Sequence, residues 1–404
     1  MKIVIFTQHY YPENFRINYI IEELRKNNQL KVFTANPHYN LNNKVIKKYK
    51  KNYPYTTKAY NIEITRIPVF FQKKNHLSKI LNYISYIFIL SFYLLFSKKK
   101  SFDLVFVYAT SPIFQCIPAI LYKMKNKVPL IIWVQDLWPE VLYDLKIPFA
   151  RVISFFITPI IKWIYESSDI ILCQSNSFKK KISKLTSKKV LLYENPSDVI
   201  NKKIDYNYDK FFFRILFAGN LGDAQDLDTL IKVGQLLKKN KKRIVIDIVG
   251  DGKKFLFLKY TINKFNLSKY LNLQGYISAL KLSKYYSKSS ALLILLCKGS
   301  GISNTIPAKF QTYLAYGRPL LVCSDGEINS LVQKNKLGLV CRSGNTNMLY
   351  KNIMLLERMN IKKFYKISHN CFNFYKNNYL LKKKTNDLLK IFNQCINNFK
   401  NKPC

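Results

Sequence analysis

Two stretches carry residue types suited to holding a diphosphate. In RILFAGNLGDAQDLDTLI (Arg214 to Ile231) an apolar run meets a Gly-x-x-Gly turn, after which Leu227, Leu230 and Ile231 recur at helical spacing. Backbone amides around Gly219, Asn220 and Gly222 at such a strand-to-helix turn can approach phosphate oxygens closely, aided by the positive end of the helix dipole. A turn that holds glycine only because it is tight has the same pattern, so this motif does not decide the matter alone. The second stretch runs from KGSGISNT into IPAKFQTYLAYGRPLL, with Pro307 placed one turn inside a predicted helix and Gly317 just past its end. Two helix N-termini facing one crevice would suit a nucleotide diphosphate. Lys309 would add a point charge for an anionic leaving group, or be one more solvated lysine.

Other polar groups follow predicted strand ends, where open α/β sheets bind ligands. Gln135, Asp136 and Glu140 stand in WVQDLWPE, directly after LIIWV. Asp136 could orient a hydroxyl, or cap the turn before Leu-Trp-Pro. Glu13, Asn14 and Arg16 stand in the loop YYPENFRIN after the first predicted strand, and Asp325, Gly326 and Glu327 follow PLLVCS.

The elements that must position these groups alternate between strands and helices. Apolar runs KIVIF, KVFTA, IEITRI, DLVFVY, LIIWV, DIILC and VLLY are separated by helical patterns such as Ile17, Ile20, Ile21 and Leu24. The second half repeats the logic with RILFAGN, RIVIDIVGDG, LNLQGY, ALLILL and PLLVCS. The expected fold is α/β, with two doubly wound parallel-sheet domains. All twelve glycines lie between Gly219 and Gly344, so any glycine-lined phosphate loop belongs to the second half. The expected division is residues 1–200, residues 201–365 with the glycine loops, and 366–404 as helices packing across both; polar residues from Ser197 to Lys210 read as the linker.

The uncharged stretch ILNYISYIFILSFYLLFS (Ile80 to Ser97) is bracketed by Lys73, Lys74 and Lys79 and by Lys98, Lys99 and Lys100. It is at the lower edge of length for a bilayer span. An interfacial helix is preferred over a buried or spanning one, because spanning would put the flanking strands on opposite sides of a membrane. A second stretch, PFARVISFFITPIIKWIYE (Pro148 to Glu166), could lie beside it or be an ordinary core helix.

The balance of 66 basic to 23 acidic residues gives a net charge of +43, which favours polyanions or an anionic membrane face. An A/T-rich genome that places Lys, Asn and Ile at solvated positions accounts for the same excess. Eight cysteines without a C-x-x-C pair and four histidines far apart in the chain suggest neither a disulfide framework nor a zinc site. The N-terminus does not read as a signal peptide, and the expected location is cytoplasmic.

The stretches QHYYPENFRINYIIEEL, WVQDLWPEVL, FAGNLGDAQDLDTLI, IVGDGKK and NTIPAKFQTYLAYGRPLL, followed by DGE and GLVC, resemble glycosyltransferase family 4. The likeness is to its branch that builds bacterial O-antigen, capsule and colanic-acid-type polysaccharides, and it extends from residue 8 to residue 341. The resemblance implies a GT-B fold, a nucleotide-diphosphate sugar donor held by the second domain, transfer with retention, and no metal. On the donor side it assigns Gly219, Asn220, Gly222, Gln225 and Gly250, then Asn304, Thr305, Lys309, Thr312 and Glu327; on the acceptor side, Glu13, Asn14, Arg16, Gln135 and Glu140. Most members carry a glycine pair near the first strand and a Glu-x7-Glu pair in the later helix. Here the first loop has no glycine, and Asn304 and Thr312 stand at the glutamate positions, able to hydrogen-bond but uncharged.

With no acid pair at helical spacing in the second half, the departing diphosphate is expected to take the acceptor's proton on the same face. Asp136, Lys309 and Asn304 are the expected catalytic residues. The implied substrates are a UDP-linked amino or deoxy hexose and a lipid-linked saccharide, at the cytoplasmic face of an anionic membrane. The alternatives are a nucleotide-sugar epimerase on the same architecture, a basic nucleic-acid-binding protein, and a partner subunit that lost catalysis with its glutamates.

Overall fold

The computed structural model describes residues 1–39, 41–70, 76–99, 101–144, 147–197, 199, 212–299 and 306–401. It divides into two compact units, Met1–Glu194 with Leu381–Cys404, and Asn195–Leu380.

In the first unit, β1 (Lys2–Phe6), β2 (Gln29–Ala35), β3 (Tyr55–Ala59), β4 (Ile62–Ile67), β5 (Leu104–Ala109), β6 (Leu130–Val134), β7 (Ile170–Cys173) and β8 (Lys189–Leu192) form one sheet. Its order is β3-β4-β2-β1-β5-β6-β7-β8, parallel except where β3 pairs antiparallel with β4. Successive residues of each central strand serve opposite cores. Val4, Phe6, Val105 and Val107 face one layer, and Ile3, Ile5, Leu104 and Phe106 the other. Strands covered on both faces need continuous apolar runs, which is why they were legible as such.

The second unit has β9 (Phe213–Ala218), β10 (Ile244–Val249), β11 (Leu271–Gly275), β12 (Ala291–Leu295), β13 (Leu320–Cys323) and β14 (Gly338–Cys341). They form an all-parallel sheet in the order β11-β10-β9-β12-β13-β14. In both sheets the winding direction reverses at the first strand of the unit, β1 or β9. In each unit, taken by itself, the carboxyl end of that strand is where such a sheet binds a ligand.

Two long helices close the described chain. Ile361–Asn378 buries Phe364, Cys371 and Tyr375 in the second unit. Leu381–Lys400 returns to the first unit, burying Leu388, Phe392 and Cys395 beside the helix Ile17–Leu24, with Phe392 5.1 Å from Phe106. Tyr193 fastens this second helix by donating to the Lys384 carbonyl at 2.8 Å.

The stretch read as an interfacial helix forms His76–Phe96. Asn82, Tyr86, Leu90 and Leu94, four residues apart, are buried on the sheet side. Ile84, Phe88, Phe92 and Phe96, also four apart, are exposed, Phe88 to 71%. Ser78–Phe96 is long and apolar enough to cross a membrane by length and composition, yet part of it is inside the unit. The wholly buried alternative does not hold, since one stripe is covered and the opposite one is open. Helix Ala150–Glu166 repeats the arrangement, burying Ile161, Ile164 and Tyr165 while exposing Phe155 to 76% along with Phe156 and Trp163. Both helices pack on the short turn Ile113–Cys116.

Candidate functional site

In the second unit the glycine loops interlock at the carboxyl ends of β9 and β10. Gly219 and Gly250 both have φ +147°, in the region that favours glycine. A Cβ on Gly250 would lie 1.9 Å from the Gly219 carbonyl oxygen, so the two loops can touch only without side chains. Asn220 folds its amide over the turn, and a Cβ on Gly222 would meet its Nδ2 at 2.8 Å. The helix that follows, Leu227–Lys239, starts at Asp226, whose carboxylate accepts from the Thr229 amide at 3.2 Å and hydroxyl at 2.6 Å.

Lys309 is the first residue of helix Lys309–Ala315. Pro307 precedes this helix rather than lying one turn inside it, and its carbonyl accepts from the Phe310 amide at 2.8 Å. Tyr313 ties the helix to β9, its hydroxyl accepting from the Ala218 amide at 2.9 Å and facing the Ala218 carbonyl at 3.1 Å. That anchorage brings Lys309 Nζ 4.1 Å from the Phe217 ring centre, 2.9 Å from Gln225 Oε1, and 3.0 Å from where a Gly219 Cβ would sit. The residue as a whole keeps some exposure, but its ammonium is withdrawn from water, and this burial brings its pKa down to about 7. A buried cation with one neutral hydrogen-bond partner among the described residues, held over a glycine turn, is suited to an incoming anion.

Of the expected donor-side residues, Gly219, Asn220, Gly222, Gln225, Gly250 and Lys309 come together here. Asn304 and Thr305 lie outside the described residues. Thr312 is buried within its helix. Glu327 opens the helix Glu327–Lys334 beyond β13, and β12 separates β13 from β9.

In the first unit, Asp136 follows β6, and its Oδ2 accepts from the Ser111 amide at 2.9 Å. This bond ties Asp136 to the loop after β5 rather than capping the turn before Leu-Trp-Pro. Burial pushes the Asp136 carboxyl above its ordinary pKa, against hydrogen bonds from Ser111. Gln135 is largely an internal tie: Gln174 Nε2 donates to its side-chain and backbone oxygens at 2.7 and 2.9 Å. Glu140 pairs with Lys181 at 3.2 Å. Asn14 is exposed, and Arg16 stands just before the helix Ile17–Leu24 without a side-chain capping bond.

Glu13 departs most from its expected role. It is 1% exposed, and its oxygens are engaged by His9 Nδ1 at 2.8 Å and by the amides of His38 and Tyr39 at 2.7 and 2.6 Å. It supports the loop rather than reaching an acceptor. His9 and His38, judged too far apart in the chain to act together, meet at this carboxylate because their strands are neighbours. Atoms of His9, Glu13 and His38 able to bind a cation lie within 4.8 Å of one another.

Across its whole length the fold is GT-B. Sucrose-phosphate synthase of Thermosynechococcus elongatus matches with a TM-score of 0.72 at 12% identity, over 97% of this chain and 98% of that one. HepE of Anabaena, solved in complex with UDP, matches at 0.68 and 11% identity, over 98% and 100%. Residues 200–371 match the family model described as Glycosyl transferases group 1. An uncharacterized glycosyltransferase of Methanocaldococcus jannaschii is 22% identical, over 98% of this chain and 99% of that protein.

Proposed function

We propose that the protein moves a sugar from a nucleotide-diphosphate donor to a lipid-linked saccharide at a membrane surface, as a family 4 enzyme of surface-polysaccharide synthesis. The observation that carries this reading is Lys309, whose buried ammonium is held over the Gly219 turn with Gln225 as its polar partner. A departing diphosphate gives that cation a counter-charge. The UDP bound by HepE, a protein of the same fold, supports a uridine nucleotide as the carrier.

Transfer proceeds with retention and without a divalent cation: the diphosphate leaves C1 with the bonding electrons, the acceptor oxygen takes its place on the same face, and the acceptor proton passes to the leaving phosphate. Asp136, with its carboxyl pKa raised by burial, orients a substrate hydroxyl. The open stripes of helices His76–Phe96 and Ala150–Glu166, together with the +43 charge, support docking on an anionic cytoplasmic membrane face.

The test is turnover with membranes from a strain lacking the protein and a panel of UDP- and GDP-sugars, without added metal. Free nucleotide and a lipid-linked product retaining the donor's anomeric configuration are expected. No nucleotide release with any donor would defeat the reading.

A further inference from the structure

The cluster around Glu13 holds features that the diphosphate site does not use. Burial alone would raise the Glu13 pKa, but the His9 hydrogen bond and the surrounding charges hold it below the ordinary carboxylate value. The carboxylate is thus an acceptor only, and His9 Nδ1, 2.8 Å away, must carry a proton. In the neutral ring this leaves Nε2 as a hydrogen-bond acceptor. The ring is held in place by a parallel stack on Phe15, with centroids 4.6 Å apart and planes 5° apart, and by Tyr39 at 5.4 Å.

His38 repeats the pattern. Its Nδ1 lies 2.9 Å from the Asn36 carbonyl oxygen, which fixes the proton on that nitrogen. Its Nε2 is buried with no hydrogen-bond partner among the described residues. That unmade hydrogen bond is a cost carried by His38 and not by His9. His9 stands three residues past the end of β1, and His38 three past the end of β2. The two strands are hydrogen-bonded neighbours, and β1 is where the sheet reverses direction.

We propose that His9 is a saccharide-binding residue whose Nε2 accepts a hydrogen bond from a hydroxyl of the incoming acceptor, with Glu13 as the positioning residue that fixes its tautomer. The inference rests on the transferase reading above. It calls for a neutral polyol, since the Glu13 charge is already spent on His9 and two backbone amides. A cation would have to displace those bonds.

The test uses the full chain, with membrane vesicles from a strain lacking the protein as the acceptor source. Nucleotide release is measured against vesicle concentration for wild type, His9→Phe, His9→Gln and Glu13→Gln. Phe keeps the stack on Phe15 but offers no acceptor atom, and Gln places an amide oxygen near the Nε2 position. The apparent KM for vesicle-borne acceptor should rise about tenfold in H9F, as for loss of one hydrogen bond, and in E13Q, while H9Q recovers most of it. Affinity for UDP and GDP, read by calorimetry, should hold in all the variants. An unchanged acceptor KM in H9F beside an active wild type overturns this inference alone. A matching loss of nucleotide affinity in H9F and H9Q also overturns it, since that marks a general structural role. Micromolar Zn²⁺ binding by wild type that H9F loses makes these residues metal ligands and overturns it too. A wild type that releases no nucleotide removes the transferase reading and this inference with it.

Discussion

The Lys309 ammonium approaches to 3.0 Å the point where a Cβ on Gly219 would stand. The two positions are coupled: the glycine leaves the space that the lysine fills, and the lysine delivers charge to the turn that the glycine shapes.

The first consequence is a pH dependence. Burial lowers the Lys309 pKa to about 7, and a bound diphosphate raises it again by stabilising the ammonium. Nucleotide affinity should be greatest below neutrality and fall as pH rises above about 7, until the pKa of the complex is reached. For the free protein the sign is opposite. The unfolded lysine titrates near 10.5 and the folded one near 7, so this group makes stability rise with pH between those values. Calorimetric titration of UDP from about pH 6 to about pH 9 checks the first statement, and Lys309→Met should abolish the slope and weaken binding by about tenfold or more.

Gly219→Ala should expel the ammonium from its seat and reduce nucleotide affinity by about tenfold, with left-handed backbone strain added. Gly250→Ala should act on the fold itself, because its Cβ would overlap the Gly219 carbonyl. A loss of about 3 kcal/mol in urea unfolding is expected for Gly250→Ala. A G250A protein as stable as wild type would contradict the interlocked loops.

Tyr313→Phe keeps the ring but removes the hydroxyl that serves Ala218. The stranded Ala218 amide should cost about 1–3 kcal/mol, and loosening of helix Lys309–Ala315 should weaken UDP binding alongside. Chemical denaturation and calorimetry on one sample measure both.

Phe88→Glu with Phe92→Glu changes only open side chains of the helix His76–Phe96. Thermal stability should stay within about 2 °C of wild type, while co-sedimentation with anionic phospholipid vesicles should fall by about tenfold or more. Phe155→Glu with Phe156→Glu should behave alike. Raised salt should weaken vesicle binding of the wild type too, through its basic residues.

The central strands were readable because both faces of each sheet are covered, which forces apolar runs. β3 escaped because Tyr55–Ala59 is an edge strand with four exposed residues, and β14 because Gly338–Cys341 is an edge strand that starts on glycine and is only partly covered. Half of the donor-side site was visible in the Gly219 turn and Lys309, each within one local motif. Their meeting at one crevice was expected as well, but the tie that makes it was not: Tyr313 bonds Ala218, and β9 lies beside β12. The role of Glu13 was misjudged because a carboxylate in a polar loop looks exposed until the loop after β2 folds over it. A signal for the histidine pair did exist: each stands the same distance past a strand, and adjacent parallel strands bring such positions together.

Asn82 lies on the covered stripe of the helix His76–Phe96 and accepts from Gln8 Nε2 at 2.8 Å, one residue before His9. That bond joins the rod proposed to face lipid to the loop that would read the saccharide. If the rod rests in the headgroup layer, the reading loop is carried at a set height above it, and reach from the bilayer becomes a criterion for choosing substrates. A sugar on too short or too long a stalk would miss His9 however well its hydroxyls matched.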